Sequence, residues 1–269
     1  MSSTSHPSTT TSPVSHAHQP LLLAARQLAQ AHHSHYDPSH DYHHVQRVVR
    51  NALVIAKSFH ARSPSKTPQG DTVSASEVEP AAVDLVLAPN QKGLTAQERL
   101  RPFWKENERT GPKEGALGPS LAKNGSEEKE TTFSTDRQRL VESIMEHVSY
   151  SNEVKRIAQG GVSEWEKGCR ELHCVQDADK LDAIGAFGIM RCSAYSAMTN
   201  RPLYVPPKAD DPEAKGCAIQ HFHDKLFKLQ GMIKTCKGKE MAKRRTELMK
   251  VFIRGVEEEW QEGKGRGGV

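Results

Sequence analysis

The chain has 269 residues, of which 36% are hydrophobic, and it carries a formal net charge of +4 at pH 7. Its mean hydropathy is −0.67 and its pI is about 8.7. No apolar run approaches the length of a membrane span, and basic residues alternate with acidic ones along most of the chain. These features argue against a membrane protein and against specific nucleic-acid binding.

The five cysteines form no CxxC pair, and their odd number argues against a complete set of disulfides. We therefore expect reduced thiols in an intracellular protein of the cytoplasm or nucleus. No cationic stretch precedes an apolar core near the N-terminus, so a secretory or transit peptide is not expected.

Both ends of the chain have compositions that are typical of disordered segments. Residues 1–19 are mostly Ser, Thr, Pro and His, and residues 261–269 are rich in Gly. Such segments bury too little apolar surface to offset the loss of chain entropy on folding. The remainder, residues 20–260, has the length of a single domain.

Helical periodicity dominates the first part of this domain. Apolar residues recur at helical spacing in 20–33 and again in 40–59. Asp37, Pro38 and Ser39 supply start signals for the second of these helices. We expect two amphipathic helices whose apolar stripes face a common core.

A long polar region follows these two helices. Residues 60–80 and 89–133 predict loops or a disordered insertion, because Gly, Pro and charged residues dominate them. The apolar piece 81–88 predicts a helix or a strand, and 95–107 gives only a weak helical signal. Structureless loops of this length are unusual inside a compact domain. The region is therefore either an insertion or foreign to the fold.

Helical patterns return in the second half of the chain. The predicted helices cover 134–151, 176–198, 217–230 and 237–260. No alternating strand of convincing length and no internal repeat is present. The predicted fold class is all-α.

Three carboxylates stand close together in 176-QDADKLDAIGAFGIMRC-192, at the predicted start of a helix. Asp179 and Asp182 are one turn apart and share a helical face, while Asp177 falls at or before the first turn. Such residues can cap a helix and be stabilised by its dipole, or they can hold a hard divalent cation. The local pattern favours the two interpretations about equally.

Histidines cluster near the start of the second helix, where six of the fourteen lie between His32 and His44. His40 and His44 are four residues apart and predict one helical face. That spacing can hold a metal ion, although an exposed polar face is the commoner use of such histidines. Asp41 is predicted in the first turn, where it would complement the helix dipole or act in catalysis.

Four segments together resemble the HD-domain superfamily of metal-dependent phosphohydrolases, and more narrowly its small single-domain bacterial and fungal branch. They are 40-HDYHHVQRVVRNALVIA-56, 147-HVSYSNE-153, 174-CVQDADKLDAIGAFGIMRC-192 and 221-HFHDKLFKLQGM-232. The third segment is long and specific. The resemblance covers about 20–56 and 134–256, and it implies an all-α helical bundle with a metal ion in its core.

The resemblance also implies roles for individual residues. His44 and Asp179 are the expected ligands of a divalent ion such as Mn²⁺ or Mg²⁺. Residues expected to support the ligands or to contact the substrate are Asp41, Arg47, His147, Asp177, Lys180, Asp182 and Lys225. Among these, Arg47 and Lys180 are the expected phosphate contacts. The implied substrate is a phosphorylated small molecule or a nucleotide, hydrolysed by a metal-activated water.

The chain departs from the family pattern at the centre of the ligand set. The family takes two ligands from an adjacent His-Asp pair on the helix that corresponds to 81–88, but no such pair occurs between residues 57 and 146. The two His-Asp dipeptides of the chain, His40-Asp41 and His223-Asp224, lie in other family-like segments. A site with one His and one Asp should bind a divalent ion much more weakly.

Three hypotheses follow from this departure. The chain is a working phosphohydrolase, a degenerate HD domain that binds a nucleotide or a partner without turnover, or a mis-predicted gene product. In the third case residues 88–133 derive from a wrong exon or a retained intron. The abrupt change of composition at 88 and again near 134 favours the second or third hypothesis.

Overall fold

The computed structural model of the protein describes residues 19–60, 94–107, 133–206 and 216–263. All regular structure in these residues is helical, which confirms the predicted all-α class. The predicted tails up to residue 18 and from residue 264, the loop 61–80 and the element 81–88 lie outside the described residues. No helix in the described part of the chain combines the length and apolar character needed to cross a bilayer.

In chain order the helices are α1 (Gln19–His33), α2 (Tyr42–His60), α3 (Ala96–Asn107), α4 (Thr135–His147), α5 (Tyr150–Ala158), α6 (Glu164–Gly168), α7 (Arg170–Asp182), α8 (Gly185–Met198), α9 (Ala218–His221) and α10 (Cys236–Glu262). Helix α9 continues into a π-helical turn (Phe222–Leu226), a short α-helical stretch (Phe227–Leu229) and a 3₁₀ turn (Gln230–Met232).

The centre of the molecule is the contact between α2 and α7, which is the most extensive among the described helices. Helix α2 buries Val48, Ala52 and Ile55, which are three or four residues apart, as its apolar stripe predicts. Helix α7 buries Val175 and Ala178. Helix α10 packs against α7 and α8, and α1 packs against α2. The partners α2 and α7 thus form the rigid frame on which the candidate site is built.

Helix α3 corrects the prediction that residues 89–133 are a loop or disordered insertion. It buries Leu100, Phe103 and Trp104 and packs against α4. The Trp104 indole donates to Oε1 of Glu142 at 2.9 Å and stacks on Phe133. The weak helical signal reflected the polar outer face and the internal proline, whereas the apolar residues of the other face supply part of the core. This part of the region therefore belongs to the fold.

The helix predicted over 176–198 is two helices, and the difference changes the position of the three carboxylates. Helix α7 begins at Arg170 and ends at Asp182, and α8 begins at Gly185. Gly185 has φ +78°, a left-handed conformation that glycine adopts without steric cost. The chain therefore turns between the two helices, and the carboxylates lie in the last two turns of α7.

Arg245 of α10 closes the C-terminal end of α7. Its guanidinium donates to the carbonyl of Leu181 and, at 3.1 Å, to Oδ1 of Asn51 on α2. The final carbonyls of a helix have no intrahelical partner, and a cation near them also complements the helix dipole. Arg245 thus ties α2, α7 and α10 together next to the candidate site.

The helix predicted over 134–151 also divides in two, since α4 ends at His147 and α5 begins at Tyr150. Ser134 caps α4, because its hydroxyl accepts from the backbone N–H of Arg137 at 3.3 Å. The predicted helix 237–260 is present as α10, whose start is capped by Thr235.

Candidate functional site

His44 and Asp182 form the centre of the site, where α2 crosses the end of α7. The imidazole donates from Nδ1 to Oδ2 of Asp182 over 2.8 Å, and both side chains are buried. A carboxylate on one ring nitrogen fixes the tautomer and leaves the other nitrogen as an acceptor. Nε2 is therefore the ring nitrogen that can ligate a metal ion.

Asp179 lies on the open side of that imidazole. Its Oδ1 is 3.6 Å from Nε2 of His44, and about a third of its side chain is exposed. Asp179 and Asp182 face His44 together because one helical turn separates them, as the sequence predicts. The two residues expected as metal ligands, His44 and Asp179, are thus brought together with their donor atoms facing each other.

Two arginines neutralise Asp182. Arg47 donates from Nε to Oδ1 at 2.7 Å and from a terminal nitrogen to Oδ2 at 3.1 Å, while Arg191 donates to Oδ2 at 3.0 Å. Burial on its own would raise the pKa of Asp182. The hydrogen bonds from His44 and Arg47 and the charge of Arg191 outweigh it and lower that pKa to about 2.

This arrangement reverses the predicted electrostatics of the acidic stretch. The sequence placed the carboxylates at a helix start, where the dipole favours negative charge, but they lie at the end of α7, where it opposes negative charge. The cationic partners Arg47 and Arg191 stabilise Asp182 instead. Of the two interpretations, the one in which a carboxylate caps this helix is therefore wrong.

Arg47 was expected to contact phosphate, but in the structure it binds Asp182. Its guanidinium is held by both oxygens of Asp182, and its outer face covers the ring of Phe187 at 4.5 Å. Two of its five N–H donors are bound to this carboxylate. Arg47 acts in the structure as the clamp that orients Asp182.

Asp41 and Asp177 have structural roles in the described residues. Asp41 precedes α2, and its Oδ1 accepts from the backbone N–H of His44 at 3.0 Å, so it caps the helix that carries His44. Asp177 is fully buried and accepts from the backbone N–H groups of Lys234 and Thr235. These bonds fix the start of α10 against α7.

Lys180 also departs from its expected role as a phosphate contact. Its ammonium group is almost fully buried and lies 2.6 Å from Oε2 of Glu153, whose other oxygen is 2.7 Å from Lys234. Removing a partner from such a buried pair is costly, so Lys180 is committed to Glu153. The sequence could not show this, because Glu153 lies on another helix.

His147 was expected to face the site, but its contacts lie elsewhere. The ring bonds through Nδ1 to the carbonyl of Ser143 at 2.7 Å and packs edge-on against Trp165 at 5.1 Å. The His147 carbonyl accepts from Arg156 and Gln176. His147 thus joins the end of α4 to α6 and α7.

The described residues do not complete a metal site. His44 and Asp179 supply two donors, and within the described ranges no group of three or more His, Cys, Asp or Glu side chains is placed to hold an ion. Structural and catalytic sites for divalent ions usually take three or more protein ligands. The residues that are present therefore fit half of the ligand set that the resemblance implies.

A cavity of about 360 Å³ opens beside the His44–Asp179 pair. His40 lines it and stands 6.2 Å from the ring of His44, and Arg191 lines it while holding Asp182. The residues of the wall are Ser39, His40, Ala183, Gly188, Arg191, Cys192, Tyr195, Ser196, Arg201, Cys217, Ala218, His221, Lys225 and Leu226. This set contains five basic side chains and no carboxylate, so the cavity suits an anionic ligand.

Lys225, which was expected to face the site, is one of the five basic residues of this wall. Its ammonium group lies 4.6 Å from the ring of Tyr150, and the guanidinium of Arg201 lies 5.5 Å from the ring of Tyr195. Among the described residues neither cation forms an ion pair with a carboxylate. Both therefore remain able to bind an anion.

Sequence reasoning missed three basic residues of the cavity wall, namely Arg191, Arg201 and His221. Arg191 stands within the acidic stretch, but the unpredicted turn before α8 hid its proximity to Asp182. Arg201 and His221 lie on separate segments that only the tertiary structure joins. A search for basic residues within the four family-like segments would have found Arg191 and His221.

Comparison with known proteins gives one curated relative and a set of solved structures. No protein-family model matches the chain. The uncharacterized protein YpgQ of Bacillus subtilis is 36% identical over 89 residues, which are 33% of this chain and 40% of that relative. The match therefore spans less than half of the relative's length.

The solved structures cover most of the chain. A Lactobacillus plantarum protein is 25% identical with a TM-score of 0.61, and the alignment covers 91% of this chain and 98% of that one. B. subtilis YpgQ in complex with ADP is 20% identical with a TM-score of 0.56, covering 88% and 97%. An HD-superfamily hydrolase from Bacillus thuringiensis is 20% identical with a TM-score of 0.57, covering 90% and 98%. The chain therefore shares the fold of these proteins, one of which is an HD-superfamily hydrolase.

Proposed function

We propose that this protein binds a phosphorylated small molecule, of the nucleotide class, in the basic cavity beside His44, and that it hydrolyses this ligand slowly or not at all. The observation that carries the proposal is the cavity wall, with five basic side chains and no carboxylate. A concave surface lined by side chains of one charge sign concentrates ligands of the opposite sign. Phosphate groups are the anions that Arg and Lys recognise best.

The ADP complex of B. subtilis YpgQ supports the choice of a nucleotide. That protein shares the fold, and its 36% identical segment links the two sequences directly. The cavity volume of about 360 Å³ falls at the lower end of the range for small-molecule sites. It suits a nucleotide better than a polymer.

The proposed loss of turnover follows from the donor set. The described residues offer His44 and Asp179, and the chain has no His-Asp pair between residues 57 and 146. In a complete site a divalent ion would polarise the phosphoryl group and activate a water molecule. Two donors alone should hold such an ion weakly.

Metal-dependent hydrolysis is the second candidate, and one observation favours it. Asp182 fixes the imidazole of His44 in the orientation of a ligand, with Nε2 directed at Asp179. A carboxylate behind a histidine is the usual support of a metal-bound imidazole. Residual activity would therefore depend on His44 and Asp179.

Isothermal titration calorimetry of the full chain with AMP and ADP tests binding, and phosphate release with Mn²⁺ tests turnover. We expect measurable binding of at least one nucleotide and release near the detection limit. The double variant His44→Ala/Asp179→Ala should keep the nucleotide affinity within about three-fold, because the basic side chains provide the binding.

Two results would decide against this proposal. Absence of nucleotide binding to a folded protein would remove the binding function. Rapid Mn²⁺-dependent release that is lost in the double variant would instead establish the hydrolase. Release that persists in that variant would show that the activity belongs to another site or to a contaminant.

A further inference from the structure

Helix α10 carries two apolar residues on the face that points away from the core. Leu248 is 46% exposed and Val251 is 55% exposed, whereas Met249 and Ile253 on the opposite face are buried. Residues three apart lie on one side of a helix, so Leu248 and Val251 form one apolar strip. The strip lies near the middle of α10, which is the longest helix of the described residues. The charges on either side of it indicate what it can contact.

Basic and acidic residues are separated along α10. Residues 236–250 include six basic and two acidic side chains, and residues 251–262 include one basic and four acidic side chains. This order opposes the helix dipole, which favours acidic residues at the start of a helix and basic residues at its end. The first turn of α10 has no acidic residue and the last turn has no basic one. The charge separation therefore does not stabilise the helix by itself.

The acidic part of α10 lines an open groove. The charged residues of this groove are the carboxylates Glu257, Glu258 and Glu262 and the single cation Arg254. Within the described residues, no ion pair joins any of these three carboxylates to a cation, because the ion pairs of α10 all lie before residue 251. The groove therefore presents an excess of negative charge to a basic partner.

The charged residues on the outer face are placed symmetrically about Val251. Arg244 stands seven residues before Val251 and Glu258 seven residues after it, and seven residues make about two helical turns, so all three share one face. Arg244 is 71% exposed, and its contact with Glu240 in the same helix is long, at 3.9 Å. A two-fold axis brings the same surface of two copies together, so such a surface must complement itself. The outer face of α10 meets that condition, because opposite charges flank an apolar centre at equal distances.

We propose that the outer face of α10 binds a second copy of this chain, with the two α10 helices antiparallel and Val251 at the two-fold axis. Leu248 and Val251 of both copies exclude water at the centre of the interface. Arg244 of each copy pairs with Glu258 of the partner subunit. No residue of α10 lines the basic cavity, so self-association and nucleotide binding are separate functions of the chain.

Sedimentation equilibrium of the full chain measures the self-association. We expect the mass of two chains at micromolar concentration, and weaker association as the salt concentration rises. Val251→Asp should weaken the association at least about 30-fold, because it places an unpaired charge at the centre of the interface. Val154→Asp is the matched control, since Val154 is 39% exposed but lies on α5. It should leave the association unchanged.

Charge reversal distinguishes the antiparallel pair from other dimers. Arg244→Glu or Glu258→Arg alone should weaken self-association about 10-fold or more, because like charges then face each other twice. A mixture of these two variants in equal amounts should recover the wild-type affinity within about three-fold, and so should the double variant Arg244→Glu/Glu258→Arg. The two positions are about 21 Å apart along one helix, so the recovery can arise only between two chains.

Three outcomes would overturn the inference. The first is a wild-type protein that keeps the mass of one chain, which would leave the surface to a different partner. The second is a dimer that Val251→Asp weakens no more than Val154→Asp, which would place the interface elsewhere. The third is a loss of association in the single charge variants that neither the mixture nor the double variant restores. Far-UV circular dichroism checks that each variant is folded, as the exposed positions of Arg244, Val251 and Glu258 lead us to expect.

Discussion

His44 and Asp182 meet through a 2.8 Å hydrogen bond although 138 residues separate them in the chain. The bond joins α2 to the end of α7 and sets the orientation of the imidazole toward Asp179. Because Asp182 also accepts from Arg47 and Arg191, a single carboxylate organises three cationic or protic side chains. This one residue therefore links the stability of the core to the geometry of the site.

Replacing Asp182 by Asn should lower the free energy of unfolding by about 2–4 kcal/mol. The amide keeps the shape of the side chain but leaves Arg47 and Arg191 without their counter-charge in a partly buried position. Chemical denaturation followed by far-UV circular dichroism measures the change. Asp224→Asn, an exposed replacement of the same kind, should change stability by less than about 0.5 kcal/mol. Equal effects of the two variants would contradict the structural role of Asp182.

Stability should also fall in acid because of the same residue. The folded-state pKa of Asp182 is about 2, below its usual value of 3.8, so its contribution is present above pH 4 and is lost as the pH falls toward 2. The shift corresponds to about 2 kcal/mol. Denaturation curves at pH 5, 4 and 3 measure it. In Asp182→Asn this part of the pH dependence should disappear, and its persistence would assign the acid sensitivity to other carboxylates.

Trp104→Ala should destabilise the protein by about 3–5 kcal/mol, because the indole is buried between α3 and α4 and its N–H is bonded to Glu142. Trp260→Ala is the control, since 41% of that side chain is exposed. Thermal or chemical denaturation measures both variants. A negligible effect of Trp104→Ala would show that α3 does not belong to the core.

The same helix bears on the hypothesis of a mis-predicted gene. Residues 96–107 supply buried apolar side chains to the fold, which is the behaviour of genuine coding sequence rather than of a retained intron. Sequencing the transcript across codons 80–140 decides the question. We expect an unbroken match to the chain, and a spliced product that lacks these codons would overturn that expectation.

Gly185→Ala should cost about 1–2 kcal/mol or more. The residue has φ +78°, and an added Cβ would lie 2.9 Å from the side chain of Arg245, which closes the end of α7. Gly255→Ala in α10 is the matched control, because an added Cβ there meets no atom within 4 Å. That replacement should stabilise the helix by about 0.5–1 kcal/mol. Similar effects at the two positions would contradict the special conformation of Gly185.

Nucleotide affinity should rise as the pH falls from 7.5 toward 5.5. Burial first, then the charges of Arg191 and His44, lower the pKa of His40, and burial with Lys225 and Arg201 lowers that of His221. Both rings are therefore largely neutral in the free protein at neutral pH, and a bound anion favours their protonated forms. Nucleotide binding should therefore take up protons. The gain in affinity should level off once the pH falls below the pKa values that His40 and His221 have in the free protein.

Calorimetry in two buffers of different ionisation enthalpy measures this proton uptake. The double variant His40→Gln/His221→Gln should retain only the pH dependence of the ligand's own phosphate. A wild-type protein that behaves like the double variant would show that neither ring contacts the anion.

Local pattern predicted much of the helical fold. Helices α2 and α10 appear in the expected places, because the spacing of apolar residues depends only on neighbours within a few turns. The turn at Gly185 was missed because apolar residues continue across it, so periodicity alone does not separate α7 from α8. The sequence contains only a weak signal for helix α3, because its apolar residues are buried only where α4 packs against them.

The sequence by itself determined that the protein is all-α, that Asp179 and Asp182 share a face, and that His44 accompanies them in an HD-like pattern. Only the tertiary structure decided what each charged side chain does. It paired Asp182 with His44 and two arginines, enclosed Lys180 with Glu153, and collected Arg201, His221 and Lys225 around one cavity. The physical reason is distance along the chain: periodicity acts within a helix, whereas charge pairing and desolvation depend on which helices meet.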